Sequence, residues 1–274
     1  MFNLGYSTYA TKNYDPFEMI RMVRSIGYTH LEVCLSDGWP TSPDIFSLTE
    51  QKKLANICNS LGFANPVFFG NIDVCNLDDK DEMKKTLLKF NMAKTISSSS
   101  KEIIISTTIG HNAPRWDSDK NLIADALVKL SDIAKDNNVI IALEAHAGTD
   151  FETPEKAVWI MEQTNHSNLR LDLDISHFYV EGSDVDHSVD LCAPYAAMVH
   201  IKDGKKVDGE VKYCLTGDGT INIEMFLLAL SRNNLTHLPV FAEVSVQQSS
   251  KRDYDPRFTA EFCYKSLMEA INKI

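Results

Sequence analysis

The 274-residue sequence has no apolar run approaching the ~18 residues that a membrane span needs. Its start, Met1-Phe2-Asn3-Leu4-Gly5, lacks the basic residues and apolar stretch of a signal peptide. No membrane partner is expected, and the chain is expected to stay in the cytoplasm. Positive charge is also scarce: 27 basic residues stand against 38 acidic ones, and the net charge of −11 repels phosphate backbones, so no nucleic-acid partner is expected. The six cysteines, at 34, 58, 75, 192, 214 and 263, form no C-x-x-C pair. Most lie in apolar stretches such as Leu31-Glu32-Val33-Cys34, where they read as reduced core residues. The first strand-to-helix turn, Tyr9–Asp15, has no G-x-G-x-x-G, which removes the dinucleotide-binding signature. What remains is an ordinary globular composition, 44% hydrophobic and 24% charged, with enough apolar residues for a sizeable core.

Apolar runs bounded by turn residues predict eight short strands: Leu4–Tyr9, His30–Leu35, Pro66–Phe69, Glu102–Thr107, Val139–Ala145, Leu169–Asp174, Ala197–Ile201 and Pro239–Val244. Helix-period segments alternate with them: Asp15–Ile26, Leu48–Leu61, Asp81–Ile96, Lys120–Asn137, Pro154–Asn165, Ile223–Asn233 and Arg257–Ile274. Gly27, Gly62 and Asn137-Asn138 mark helix ends, and Asp15-Pro16, Thr49 and Thr153-Pro154 mark helix starts. Between Ile175 and Tyr195 only Val189–Tyr195 reads as a short helix, and the rest as loop. The serine run Ser97–Ser100 reads as a helix end leading into the fourth strand. Eight strand–helix units of about 34 residues imply a parallel sheet with helical crossovers, closed as a single (β/α)8 TIM barrel domain over residues 1–274.

Four consecutive strands end in residues that a buried strand should not want. The fifth ends Leu143-Glu144-Ala145-His146, the sixth Leu171-Asp172-Leu173-Asp174, the seventh Val199-His200-Ile201-Lys202 and the eighth Ala242-Glu243-Val244. Barrel closure brings Glu144, Asp174, His200 and Glu243 to one rim, where three carboxylates within a few Å repel unless protonated or bridged by a cation. One divalent ion resolves that conflict. Oxygen-rich ligands with one imidazole suit Mn²⁺ first, with Mg²⁺ or Co²⁺ as alternatives.

These segments resemble the xylose-isomerase-like barrels of sugar isomerases and epimerases, which include ketose 3-epimerases, hydroxypyruvate isomerases and inosose dehydratases. The likeness extends to Ser25-Ile26-Gly27-Tyr28-Thr29-His30-Leu31-Glu32, similar to the entry into the second strand of those barrels, and to the motif His200-Ile201-Lys202-Asp203. The resemblance implies metal ligands at Glu144, Asp174, His200 and Glu243, a proton-transferring pair in Glu144 and Glu243, and a substrate contact at His177. Family epimerases usually carry an arginine in the loop after the seventh strand, which here reads Gly204-Lys205-Lys206-Val207-Asp208.

A metal that chelates a sugar carbonyl and the neighbouring hydroxyl makes the adjacent C–H acidic through an enediolate. Glutamates on the fifth and eighth strands are spaced to serve as base and acid on two faces of such a sugar. The expected activity is therefore a metal-dependent sugar isomerase or epimerase. Its alternative is a lyase of the same family, either a dehydratase acting on keto-inositols or an enzyme eliminating an aglycone from a 3-oxo-glycoside. His146 shares strand parity with Glu144 and Lys202 with His200, and His111 follows the fourth strand, so these three join His177 as candidate substrate contacts. Glu32 points into the barrel near its rim, and Tyr6, Trp39, Phe69 and Trp116 sit where an aromatic can stack on a sugar. An apurinic-site endonuclease would need an Asp-x-His pair between His200 and Glu243, and none occurs. A non-catalytic sugar-binding barrel would show a lost ligand, and all four are present. Specificity is expected in the loops Ser36–Pro43, Asn71–Asp81, His111–Asp119 and Ser245–Pro256. The absence of an arginine cluster points to an unphosphorylated sugar. A homo-oligomer is compatible with the sequence.

Overall fold

The computed structural model describes residues 2–97, 102–110 and 115–274. The candidate His111 and serines 98–100 lie outside them. In chain order, β1 (Leu4–Ser7) leads to α1 (Pro16–Ile26), β2 (His30–Cys34) to α2 (Leu48–Ser60), β3 (Val67–Phe69) to α3 (Lys80–Ile96) and β4 (Ile103–Thr107) to α4 (Trp116–Asp136). β5 (Val139–Glu144) leads to α5 (Pro154–Thr164), and β6 (Leu169–Asp174) to the short helices α6 (Ile175–Val180) and α7 (Val185–Cys192). β7 (Ala196–Ile201) runs into an antiparallel hairpin, β8 (Asp203–Val207) and β9 (Glu210–Cys214), before α8 (Ile223–Arg232). β10 (Val240–Ala242), the one-turn α9 (Val246–Ser249) and α10 (Pro256–Ile271) complete the order.

Among the described residues, eight parallel strands close in the order β1-β10-β7-β6-β5-β4-β3-β2, with Leu4 beside Val240 where the last strand meets the first. This is the expected (β/α)8 TIM barrel, and each expected strand lies within two residues of its expected ends. Local chemistry explains the helix boundaries. Asp15 and Thr153 accept from the backbone N–H groups of Glu18 and Lys156, each with proline at the first helical position. Ser47 and Glu50 form a reciprocal capping box that starts α2. No helix among the described residues is long and apolar enough to cross a membrane.

Two stretches differ from the sequence reading. The segment after Ile175 is helical, because the Asp174 carboxylate caps its own strand end by accepting from Ser176 N–H at 2.8 Å, so β6 passes into α6 with no turn residue between. The following helix starts at Val185, earlier than Val189, because Asp184 accepts from His187 N–H at 2.9 Å. The segment read as a loop after β7 is the β8–β9 hairpin. Its two-residue turn, Asp208-Gly209, has φ of 52° and 83°, the left-handed pair that hairpins prefer.

Side chains alternate along each strand, so residues two apart share the barrel interior. Ala142, Met198 and Phe241, with Val67 and Ile104, form an apolar layer inside. Gly5 is required beside it, because a Cβ there would lie 2.2 Å from the Phe241 ring. Two residues further along the same strands come Glu144, His200 and Glu243, and acidic groups replace apolar ones towards the C-terminal rim.

The last residue of the His200–Asp203 motif organises the segment that follows the hairpin. Asp203, 1% exposed, accepts from the backbone N–H groups of Gly204, Gly217, Gly219, Thr220 and Ile221 at 2.8–3.3 Å. The glycine turn Thr216–Thr220 is thus a wrapper for a buried carboxylate, and a Cβ on Gly219 would stand 2.1 Å from Asp203 Oδ1. Asp203→Ala leaves these donors without their charged acceptor and is expected to lower stability by about 3 kcal/mol or more. Urea denaturation checks it, and a loss below about 1 kcal/mol would show that water replaces the carboxylate.

Candidate functional site

One ligand atom from each of Glu144, Asp174, His200 and Glu243 lies within 4.8 Å of the other three. These are the four residues that the strand ends singled out. A second group at the same spacing, Glu32, Asp172 and His200, lies one layer further into the barrel. Asp172 was not among the sequence candidates. Its signal was its parity with Asp174, which puts two successive inward positions of β6 under acids. Glu32 accepts from Ser106 Oγ at 3.1 Å and stands 3.4 Å from His200 Nε2, while His200 Nδ1 is 3.2 Å from both Asp172 and Glu243.

Lys202 enters the same centre from β7. Its ammonium bonds the Asp174 carboxylate, lies 3.1 Å from Glu243 Oε2 and 3.9 Å from Glu144 Oε1, and is 2% exposed. Burial opposes its charge, yet Asp174, Glu243 and Glu144 outweigh that and hold its pKa well above the usual lysine value. Burial also opposes an imidazolium at His200, and there Asp172 and Glu32 outweigh it, raising that pKa as well.

The acids divide in response. Burial raises Asp172 well above the carboxylate range, against the pull of His200. It raises Glu144 to about 8, only partly offset by Lys202. For Asp174 and Glu243 burial acts in the same direction but loses. Lys202, with His177 and His200, holds Asp174 far below its usual value, and Lys202 with His200 brings Glu243 to about 2. The two glutamates that share the centre are therefore driven to opposite protonation states by their surroundings.

A divalent cation fits these residues on two grounds. Glu144 Oε1, both Asp172 oxygens and both His200 ring nitrogens are buried without a hydrogen-bond partner among the described residues. The five carboxyl groups of Glu32, Glu144, Asp172, Asp174 and Glu243 also outnumber the two cations near them, Lys202 and His200.

His177 lies behind the cavity wall. It is fully buried, its ring 3.9 Å from that of His146. The backbone N–H of Ala147 donates to its Nδ1 at 3.1 Å, and Tyr213 Oη lies 2.7 Å from the same nitrogen. Nδ1 must therefore be the acceptor, so the proton sits on Nε2, which faces Glu144 Oε1 at 3.3 Å and Asp174 Oδ2 at 3.6 Å. Burial and the nearby Lys202 keep the ring neutral, with its pKa near 3. Tyr213, on the hairpin, is a further residue that sequence reasoning missed. It lines the cavity on one side and fixes the His177 tautomer on the other, and Gln247 of α9 anchors it by accepting from its N–H at 2.9 Å.

The cavity above this centre has a volume of about 230 Å³, and Glu144, Glu243, Lys202, His146, Tyr9 and Tyr213 are among the residues in its wall. His146 donates from Nδ1 to the Ala147 carbonyl at 2.8 Å, which leaves Nε2 as an acceptor. Phe69 reaches the cavity. Tyr6 does not, being buried against Tyr28, and Trp116 stacks on Phe151 and meets Trp159 edge-on, so both are packing residues.

Against known proteins, the chain is 27% identical over 141 residues to the inosose dehydratase of Clostridium botulinum (strain Alaska E43 / Type E3). That match spans 45% of this chain and 45% of that enzyme, so the chain matches just under half the length of this curated relative. The fold is similar to the solved IolI protein with a bound zinc atom, at a TM-score of 0.78 and 21% identity, covering 99% of this chain and 98% of that one. It is likewise similar to L-ribulose 3-epimerase, at a TM-score of 0.73 and 19% identity, covering 100% and 97% of the two chains. A sequence profile of the xylose isomerase-like TIM barrel matches residues 20–265, and the chain belongs to that family.

Proposed function

We propose that this protein is a divalent-metal-dependent sugar isomerase or epimerase that works by moving a proton at the carbon next to a carbonyl. The observation that carries the reading is the convergence of Glu144, Asp174, His200 and Glu243 within 4.8 Å around a centre short of positive charge. These four are the proposed ligands, and manganese is the proposed ion. When bound, it supplies Lewis-acid polarisation of a carbonyl and of the hydroxyl beside it. Glu243, held ionised at the cavity wall, is the base that takes the carbon-bound proton. Glu144 stands on β5, with β6 and β7 between it and β10, and returns a proton from another side of the sugar. Lys202 donates to the oxygen on which negative charge develops. His177 Nε2–H stands 3.3 Å behind Glu144 Oε1, and His146 contributes an acceptor to the substrate.

A lyase reading has its own support in the inosose dehydratase relative. It begins with the same proton abstraction at Glu243, and Glu144 then protonates a departing oxygen instead of a carbon.

The two readings separate in heavy water. A panel of free ketoses, aldoses, keto-inositols and 3-oxo-glycosides, incubated with Mn²⁺, is expected to show deuterium uptake in one class with no other change of mass. Loss of water or of an aglycone in the product identifies the lyase, and no uptake across the panel removes the enolising reading. Glu243→Gln and Glu144→Gln are each expected to lower turnover about a hundredfold to ten-thousandfold, because an amide cannot accept a proton at neutral pH. Activity within tenfold of the parent would leave that residue a ligand only.

Metal binding should itself be pH-dependent. His200, whose pKa Asp172 and Glu32 raise well above the imidazole value against burial, holds a proton at neutral pH that the ion must displace. Apparent affinity therefore rises with pH across the neutral range, by up to about tenfold per unit for the proton released. Calorimetric titration with Mn²⁺ from pH ~6 to ~8 reads this slope. Asp174→Ala and His200→Ala should each abolish most of the binding. A flat profile, or unchanged metal content in both variants, would contradict the ligand set.

A further inference from the structure

Next to the metal-site cavity lies a second one of about 350 Å³ with the opposite electrostatic character. The two share Tyr9 and Val246 as a common wall. Lys12, Lys251 and Arg252 line the second cavity, and no acid does, in a chain whose net charge is −11. Among the described residues, no carboxylate bonds these cations. Lys12 lies over the Trp39 ring at 4.3 Å, Lys251 meets the neutral side chain of Gln248, and Arg252 makes no hydrogen bond or ion pair among the described residues. Three uncompensated cations facing one concave space raise the local positive potential and favour an oxyanion there. The cations come from distant parts of the chain: Lys12 follows β1, while Lys251 and Arg252 follow α9. For that reason the sequence showed no basic cluster and pointed to an unphosphorylated sugar. Tyr9 ties the cavities together, because its ring stacks on Trp39 at 5.1 Å on one side and meets Phe69 of the metal-site cavity edge-on at 5.4 Å.

We infer that the cavity lined by Lys12, Lys251 and Arg252 is an anion subsite, which receives a phosphate or carboxylate carried by the substrate on the far side of Tyr9 from the metal centre. This rests on the proposed function in that it assumes a sugar held at that centre, with one end reaching past Tyr9. Guanidinium and ammonium groups complement either anion, and Tyr9 and Val246 in the shared wall give the intervening carbon chain an apolar surface to pass.

Titration calorimetry on the Mn²⁺-loaded protein at low salt, with D-fructose, D-fructose 6-phosphate and D-fructuronate, tests the subsite. At least one anionic ketose is expected to bind tenfold or more tightly than fructose, and which of them does so identifies the anion. In a Lys12→Gln/Arg252→Gln variant that preference should fall to within about twofold, with fructose affinity and thermal midpoint unchanged. Equal binding of all three ketoses by the parent overturns the inference. So does a preference that survives in the variant, because the anion would then be sitting on the metal. The enolising reading fails by a different result: intact binding of all three ligands with no deuterium uptake from heavy water into any sugar.

Discussion

The mutual repulsion of carboxylates buried at one end of the barrel is the constraint on which the rest of this structure turns. Glu32, Glu144, Asp172 and Asp174 are buried where they converge with the half-buried Glu243, and a group of that charge survives only with protons, protein cations or a metal ion. The chain supplies part of the answer itself. Lys202 bonds Asp174 and reaches Glu243 and Glu144, and His200 sits between Asp172, Glu243 and Glu32. Two acids, Glu144 and Asp172, are left to take up protons. A divalent ion would add a positive charge there that also acts on substrate. The ammonium of Lys202 rests on a flexible four-carbon stem and can turn from the carboxylates towards a sugar oxygen without rebuilding the barrel.

The rest of the barrel is regular because its strands are covered on both faces. Parallel strands buried on both faces read as short aliphatic runs, which is why all eight were legible within two residues of their ends. Against that background an acid or histidine at a strand end stands out, and parity then assigns it to the interior: Glu144 follows Ala142, His200 follows Met198, and Glu243 follows Phe241. The four converging residues were readable for this reason. Asp172 was not, because one further acid on a strand already counted adds nothing to a strand-by-strand reading. Its position matters only once His200 is seen between it and Glu32.

What the sequence concealed was mostly the work of residues with two local roles. Asp174 ends β6 and caps α6, so no turn signal separates strand from helix. Asp203 reads as the tail of a motif and acts as the acceptor for five backbone donors that shape the following turn. The Asp208-Gly209 turn is a local signal that was available, since Asp-Gly between alternating residues favours a hairpin. Tyr213 had no such signal. Its contact with His177 joins residues 36 positions apart, on a hairpin whose placement depends on Asp203 below and Gln247 beside it.

The catalytic layer and the specificity layer of this site obey different physics, and that separates what is shared within the family from what is particular to this chain. Proton abstraction next to a carbonyl requires only the charge-balanced centre and two glutamates held in different protonation states. That arrangement is set by strands whose register cannot shift by one residue without turning every inward side chain outward. An isomerase and a lyase can therefore share it unchanged. What distinguishes substrates lies above the centre, where Tyr9, Gln247 and Val246 come from connections and Tyr213 from the β8–β9 hairpin, all outside the pairing of the barrel strands. Charge changes sign across that boundary, from the carboxylates at the proposed metal centre to Lys12, Lys251 and Arg252 beyond Tyr9. A sugar with its carbonyl end at the centre and an anionic end outside would match both charges at once. The reversed orientation would bring its anion against Glu144 and Glu243, so the electrostatic asymmetry itself orients the substrate.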